Sequence, residues 1–415
     1  MSLDLKGPGD GAARERLGLN ALVAGLAAIF LYRSLWLPWT VLERFEADFR
    51  HYYDAAARIL AGLSPYEVGG FDYPPLTALI VLPVAWLPCP QARIAWLLVN
   101  WLCLVAAGLL LARTLGGDRA AWVTVAACWA LCGTVAENLV LGQVHPLLLL
   151  LLVLAWWGSS RGRGGVVAGA IGAATALKLW PGVLLIAMAP FHRRRAVAAA
   201  AVALAVLALS WLPMLWLPPP HSPVKAHYWL GTPSLFNFSL PAVALRLADP
   251  PAPGQVLPVS WRGGNDPLTF ELPPRQAALS AGVAGLLLVL GGAVLLWAAL
   301  GAGPGGEGEL HALAAAVSLA LVASPISWYH YQLLQLPGLA LLARRWAGRP
   351  LRLVGLAALA AGLTWTHVAG VGRYTGRYGL TAANPVWLWL VLTFVPALCL
   401  VHFALQVREI RRGHG

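Results

Sequence analysis

Charge is what this sequence has least of. Only 11% of its 415 residues are Asp, Glu, Lys or Arg, and 59% are hydrophobic, whereas a soluble chain carries about a quarter charged residues. So few charges cannot cover a soluble fold of this length, which leaves lipid to cover the apolar faces. Acid is scarcer than base: 17 Asp and Glu stand against 29 Lys and Arg, a net charge of +12. Cysteine is sparse too. Of the five, Cys89, Cys103, Cys128, Cys132 and Cys399, nearly all lie inside apolar runs, where cysteine behaves as a small core residue and a disulfide framework is not expected. Cys128 and Cys132 share a helix face but lack further ligands for a metal. No Asp-x-Asp pair occurs, and no internal repeat supports the inverted-repeat plan of secondary transporters.

The positive charge that is present sits in short clusters between apolar runs: Arg161 with Arg163, 192–195, 344–352 and 408–412. This is the distribution of cytoplasmic loops in membrane proteins, so the charge encodes topology and nucleic-acid binding is not expected. A crossing helix needs about 20 apolar residues. Spans are expected near 18–38, 93–115, 119–136, 196–217, 277–300, 353–371 and 385–407, with shorter ones near 146–158, 311–323 and 331–343. The first apolar run, Ala21 to Trp36, reads as an uncleaved span. Two half-length runs, 165–177 and 180–191, meet at Lys178, and the basic clusters outside them make the pair a hairpin with Lys178 at its outward tip. The run 75–88, bounded by prolines, reads as an interfacial or re-entrant helix.

The expected fold is therefore an all-α polytopic membrane protein, a single integral domain over 1–415 with about 12 transmembrane or half-membrane helices. Its outer loops are 39–92, 137–145, 218–276, 324–330 and 372–384. The first, 39–92, carries interfacial helices, and 218–276 is the second large one.

Those outer loops hold the unusual polar residues. If 45–60 is helical, Asp48, His51 and Tyr52 share one face, giving either an acid/base cluster or a solvated surface helix. Glu137, Asn138, Gly142, Gln143 and His145 insert polar groups between two apolar spans, where they either line a cavity or hold a helix break together. Tyr329, His330 and Tyr331 follow a Ser-Pro-Ile-Ser-Trp stretch, which reads as an aromatic belt with one histidine of structural or chemical use. Lys178 is a cation among apolar residues, which marks a functional site with an anion such as phosphate as its partner. Arg33, near the outer end of the first span, either assists it or snorkels.

Taken in order, the motifs resemble those of glycosyltransferase family 87, the polyprenol-phosphate-mannose-dependent α-1,2-mannosyltransferases and related arabinofuranosyltransferases of the glycosyltransferase-C superfamily. The carriers are Asp-Phe-Arg-His-Tyr (48–52), Ser-Pro-Tyr (64–66), Tyr-Pro-Pro-Leu (73–76), Gly-Gln (142–143), Leu-Lys-Leu-Trp-Pro (177–181), Asn-Phe-Ser-Leu (237–240) and Ser-Pro-Ile-Ser-Trp-Tyr-His (324–330). The resemblance implies the glycosyltransferase-C fold and an enzyme of the cell membrane with an extracytoplasmic active site. It implies inverting transfer of a sugar, mannose in the first instance, from a polyprenyl-phosphate donor to a glycan or glycolipid acceptor, the membrane lipid carrying the donor. Asp48 and Tyr52 match the family's Asp-x-x-x-Tyr pattern and His330 its histidine, which implies Asp48 as base with His330 orienting or sharing the proton. Tyr52, Lys178, Gln143, Asn237, Arg33 and Tyr73 are the expected donor- and acceptor-binding residues, with Arg246 and Arg373 as further cations for the leaving phosphate. No metal and no cofactor are expected, because side chains can supply the charge. The alternatives are a polytopic transporter or flippase, which should show internal symmetry and polar groups spread through mid-span, and an arabinofuranosyltransferase of the same family.

Overall fold

The computed structural model describes residues 9–36, 47–68, 71, 73–218, 237, 239–248, 273–302, 306–364 and 385–412. Arg373, most of the loop 218–276 with His227, Trp229 and Trp261, and the loop 372–384 lie outside the described residues. In chain order the helices are α1 (Gly9–Leu31), α2 (Ala47–Leu60), α3 (Pro75–Leu79), α4 (Leu82–Ala85), α5 (Cys89–Thr114), α6 (Arg119–Leu131), α7 (Gly133–Leu141), α8 (His145–Ser160) and α9 (Gly164–Leu177). They continue with α10 (Leu184–Met188), α11 (Arg193–Trp211), α12 (Leu240–Ala248), α13 (Pro274–Leu300), α14 (Glu307–Ala323), α15 (Leu336–Arg345), α16 (Pro350–Thr364) and α17 (Pro385–Arg412). Among the described residues the only β pairing is an isolated antiparallel bridge between Asn237 and Trp328.

Apolar length decides which helices can cross a bilayer. Three do so by length and composition: α5, α11 with the 3₁₀ turn that extends it to Trp216, and α13. A fourth span is available if α6 and α7, bent by 57° at their junction, count as one. Helices α8, α9 and α16 are apolar but shorter; the 16 residues of α8 reach about 24 Å at 1.5 Å per residue. The sequence puts an outer loop at 137–145, but the chain there stays helical to Leu141 and breaks only at 142–144. The run 75–88 contains the two short helices α3 and α4, each opened by proline at its first turn, where the missing N–H costs nothing.

Helix α14 is the axis of the bundle, with every residue from Glu309 to Ala323 buried. It packs along α13 and α17, while α9 packs between α8 and α11. Close approach there depends on Gly172: a Cβ would stand 2.6 Å from Val202 Cγ1, the small-residue contact that lets membrane helices touch. Several polar side chains inside the bundle are paired with one another, as a medium without water favours. His311 Nδ1 meets Gln406 Oε1 at 2.5 Å, Gln406 Nε2 meets His402 at 2.9 Å, and Ser318 donates to Gln335 at 3.0 Å. Large apolar side chains such as Leu204, Leu286, Val289 and Trp297 instead face outward, as lipid solvent permits.

The basic loops converge on one end. Arg344 pairs with Asp118, which also caps α6 by accepting the Ala121 N–H at 2.8 Å. Those bonds, the Ala121 N–H first, hold the exposed Asp118 carboxyl below its ordinary value. Arg345 pairs with Glu307 and Glu409, Arg412 with Glu409, and His192 with Glu309. Helix α8 runs from His145 to the turn at Arg161, and α9 runs from Arg163 back to Lys178. His145 and Lys178 therefore lie at the ends of these helices opposite the basic cluster.

Candidate active site

Helix α2 forms because Phe49, Tyr52, Ala55 and Ala56 fall on one face at helical spacing and are buried, while Arg50 and Asp54 pair on the outside at 2.8 Å. That buried face packs into a satellite core with Phe71, Ala78, Val81, Trp96 and Val144. Residues 47–60 are thus neither wholly solvated nor wholly core: the first turn of α2 points Asp48 at the break after α7.

Gly142 makes that break. Its φ of +67° is left-handed, the Gly142 N–H donates to Leu139 at 3.2 Å, and the Gln143 N–H donates to Asn138 at 2.9 Å. This is the Schellman closure, in which glycine satisfies the last carbonyls. A Cβ at Gly142 would stand 2.6 Å from the Cβ of Phe49, so the same glycine also admits α2. The Gly142 carbonyl accepts from Trp96 Nε1 at 2.8 Å and the Gln143 carbonyl from Asn100 Nδ2 at 2.9 Å. With its backbone held on both sides, Gln143 is 1% exposed. Its Nε2 donates to Asp48 Oδ2 at 2.6 Å, and its Oε1 accepts the Tyr52 hydroxyl at 2.9 Å. One amide therefore orients the carboxylate and the phenol, and the two bonds fix which way it faces.

Asp48 as a residue retains partial exposure, but its carboxyl is enclosed, and burial pushes its pKa above the ordinary value. His51, the Gln143 hydrogen bond and the charge of Lys178 oppose that shift, and Glu137 adds to it. Glu137 itself accepts from the Tyr329 hydroxyl at 2.5 Å.

Lys178 occupies the extended residue at the end of α9, where the preceding Leu177 carbonyl accepts from Thr77 of α3 at 3.1 Å. The Lys178 ammonium donates to the Tyr331 hydroxyl at 2.6 Å and lies 3.1 Å from His145 Nε2. It also lies 3.8 Å from the Tyr331 ring centre and 5.1 Å from that of Tyr73, within range of cation–π attraction. The Tyr73 ring stands edge-on to Tyr52 at 5.1 Å and so joins the Asp48 group to the Lys178 group. His330 is 4% exposed, its carbonyl is held by Asn138 Nδ2 at 2.8 Å, and its ring lies 5.1 Å from that of His145.

Asp48, Tyr52, Tyr73, Gln143, Lys178 and His330 thus come together. Asn237 and Arg33 have other attachments. Asn237 Nδ2 donates to the Pro325 carbonyl at 2.7 Å and its Oδ1 accepts the Ser327 N–H at 2.8 Å, bracing the strand-like approach to His330. Arg33 donates to the Ala130 carbonyl at 3.1 Å, at the α1–α6 contact, and buried Arg246 donates to the Asn237 carbonyl at 3.1 Å. The sequence places His145 among the polar groups between two spans and Tyr331 in an aromatic belt, and assigns neither to the site; polar groups at membrane depth are the available signal.

The model of glycosyltransferase family 87 matches residues 71–325, more than half of the chain. The chain belongs to glycosyltransferase family 87. It is a membrane glycosyltransferase, and as such it has a sugar donor and an acceptor as its substrates. No curated protein sequence matches it. Within the matched part of this glycosyltransferase lie Tyr73, Gln143, His145, Lys178 and Asn237; Asp48, Tyr52 and His330 lie in the flanks.

Proposed function

We propose that this family-87 enzyme transfers a hexose, mannose by preference, from a polyprenyl-phosphate donor to a glycan or glycolipid acceptor, inverting the anomeric carbon. The observation that carries the reading is the enclosed Asp48 carboxylate, aimed by Gln143 into a group that also holds the Lys178 cation.

An acceptor hydroxyl attacks poorly while it keeps its proton. Asp48 takes that proton as the oxygen bonds to the anomeric carbon, and the raised pKa makes the carboxylate a stronger base than an exposed one. The anomeric bond to the phosphate oxygen breaks, and its electron pair leaves with the polyprenyl phosphate. That leaving group gains negative charge, which Lys178 is placed to meet, with His330 orienting the proton-bearing groups. The donor's prenyl chain stays in lipid, where the outward apolar side chains lie.

Orientation follows from charge. The positive-inside rule favours a cytoplasmic end at Arg344, Arg345 and Arg412, which supports an Asp48 group on the extracytoplasmic side of the cell membrane. Single cysteines at Tyr66 and Arg345, in a chain cleared of its five native thiols, test this. Tyr66→Cys should label from outside and Arg345→Cys only from inside; the reverse pattern refutes the orientation.

The chemistry is tested by transfer of radiolabelled mannose from a polyprenyl-phosphate carrier by purified protein, with Asp48→Asn beside it. A general base contributes about 10²–10⁴-fold, and a loss of that size is expected. Equal transfer by Asp48→Asn refutes Asp48 as the base.

A further inference from the structure

Lys178 is held in place by neutral groups. It is 5% exposed, and its near partners are the Tyr331 hydroxyl, the Tyr73 and Tyr331 rings, and His145 Nε2. With Lys178 as an ammonium, which only donates, Nε2 accepts and the proton of a neutral imidazole is on Nδ1. His145 is fully buried, and its Nδ1 has no hydrogen-bond partner among the described residues. Both ring nitrogens of His330 share that condition. Three buried imidazole nitrogens without partners therefore stand beside a buried cation. Native interiors rarely leave such atoms unmet, and a polar ligand arriving there would meet them.

We propose that His145 is a positioning residue of the transfer reaction: by accepting from the Lys178 ammonium it holds that cation facing the donor's phosphate. This rests on the reading above that the donor is a lipid phosphate. His145 can act in this way because it opens α8 directly after the Gly142 break. Its ring is wedged against Tyr331 at 4.3 Å and against His330 at 5.1 Å, so it cannot turn away. Without the imidazole, Lys178 keeps one hydrogen-bond partner, the Tyr331 hydroxyl, and the less directional faces of Tyr73 and Tyr331 to direct a flexible four-carbon stem. The cation would then sample positions away from the phosphate.

The test compares binding of a short-chain polyprenyl phosphate and the matching uncharged polyprenol by the full-length protein in detergent. Wild type should prefer the phosphate. His145→Phe keeps the ring but loses the acceptor, and should lower that preference by about tenfold or more, with polyprenol binding and thermal melting unchanged. His145→Gln, whose amide reaches the Nε2 position, should stay within about threefold of wild type. His145→Asn, whose shorter amide does not reach Lys178, should lose the preference as Phe does, and serves if the Phe variant does not fold. In turnover, the loss in Phe and Asn should fall on the donor KM and leave the acceptor KM alone. Undiminished preference in Phe or Asn, or equal loss in Gln and Phe, overturns the role of His145. A wild type that binds alcohol and phosphate alike overturns the lipid-phosphate reading itself.

Discussion

Gln143→Met separates the amide of Gln143 from its bulk. Methionine fills nearly the same volume, so the satellite core and the α2–α7 contact should survive, while Asp48 loses a 2.6 Å donor and Tyr52 its 2.9 Å acceptor. Burial raises the Asp48 pKa and the Gln143 bond works against it, so removing the bond raises it further. A hydrogen bond to a charged acceptor is worth about 1.5–3 kcal/mol. Taken at the lower figure, with 1.36 kcal/mol per tenfold change, this corresponds to about one pH unit. The base works when deprotonated, so activity falls as pH drops through its pKa. The acid limb of kcat/KM against pH should therefore start above the usual carboxylate range in wild type and lie about one pH unit higher still in Gln143→Met. Below the limb the variant should be about tenfold slower, and the gap should close well above it. An unmoved limb, or a loss uniform across pH, refutes the idea that Gln143 tunes Asp48.

Lys178→Met keeps an unbranched stem between Tyr73 and Tyr331 but removes the charge; kcat/KM for the donor should fall about 10²–10³-fold, with thermal melting little changed, and an unchanged rate would remove Lys178 from the leaving-group site. Gly142→Ala adds a Cβ at φ +67°, 2.6 Å from Phe49; it should cost about 1–3 kcal/mol in stability and a larger share of activity, because α2 must move and take Asp48 with it. A Gly142→Ala protein with full activity would mean that α2 is not held by this contact.

The fold was legible where lipid imposes a simple rule. Apolar length marks α5, α11 and α13, and charge placement marks the end where Arg344, Arg345 and Arg412 gather. The α6–α7 bend was less so, because Cys132-Gly133 sits inside one uninterrupted apolar run and nothing local announces a 57° turn. In the site, Asp48 and Tyr52 could be read from spacing four apart on one helix. Their joint partner could not: Gln143 is 91 and 95 positions away, and only the αL turn at Gly142 aims it. Asn237 shows the other side of this. Its motif reads as binding, yet its amide is occupied by Pro325 and Ser327. His145 reads only as one of the polar groups between two apolar spans until Lys178, 33 positions on, is folded against it.

The family match begins at residue 71 and ends at 325, so it says nothing by itself about Asp48 or His330. What joins them to the matched part is a set of buried contacts. Gln143, inside the match, holds Asp48 outside it; Asn138, inside, holds the His330 carbonyl at 2.8 Å; Tyr73, inside, packs edge-on to Tyr52. Each of these polar bonds lies where water is scarce, so breaking one leaves a buried group unmet, at about 1–3 kcal/mol. Asp48, Tyr52 and His330 in the flanks are therefore held directly by the matched centre. The chemistry assigned to Asp48 and His330 stands on that constraint, and it fails if the two flanks can be displaced without disturbing Gln143, Asn138 and Tyr73.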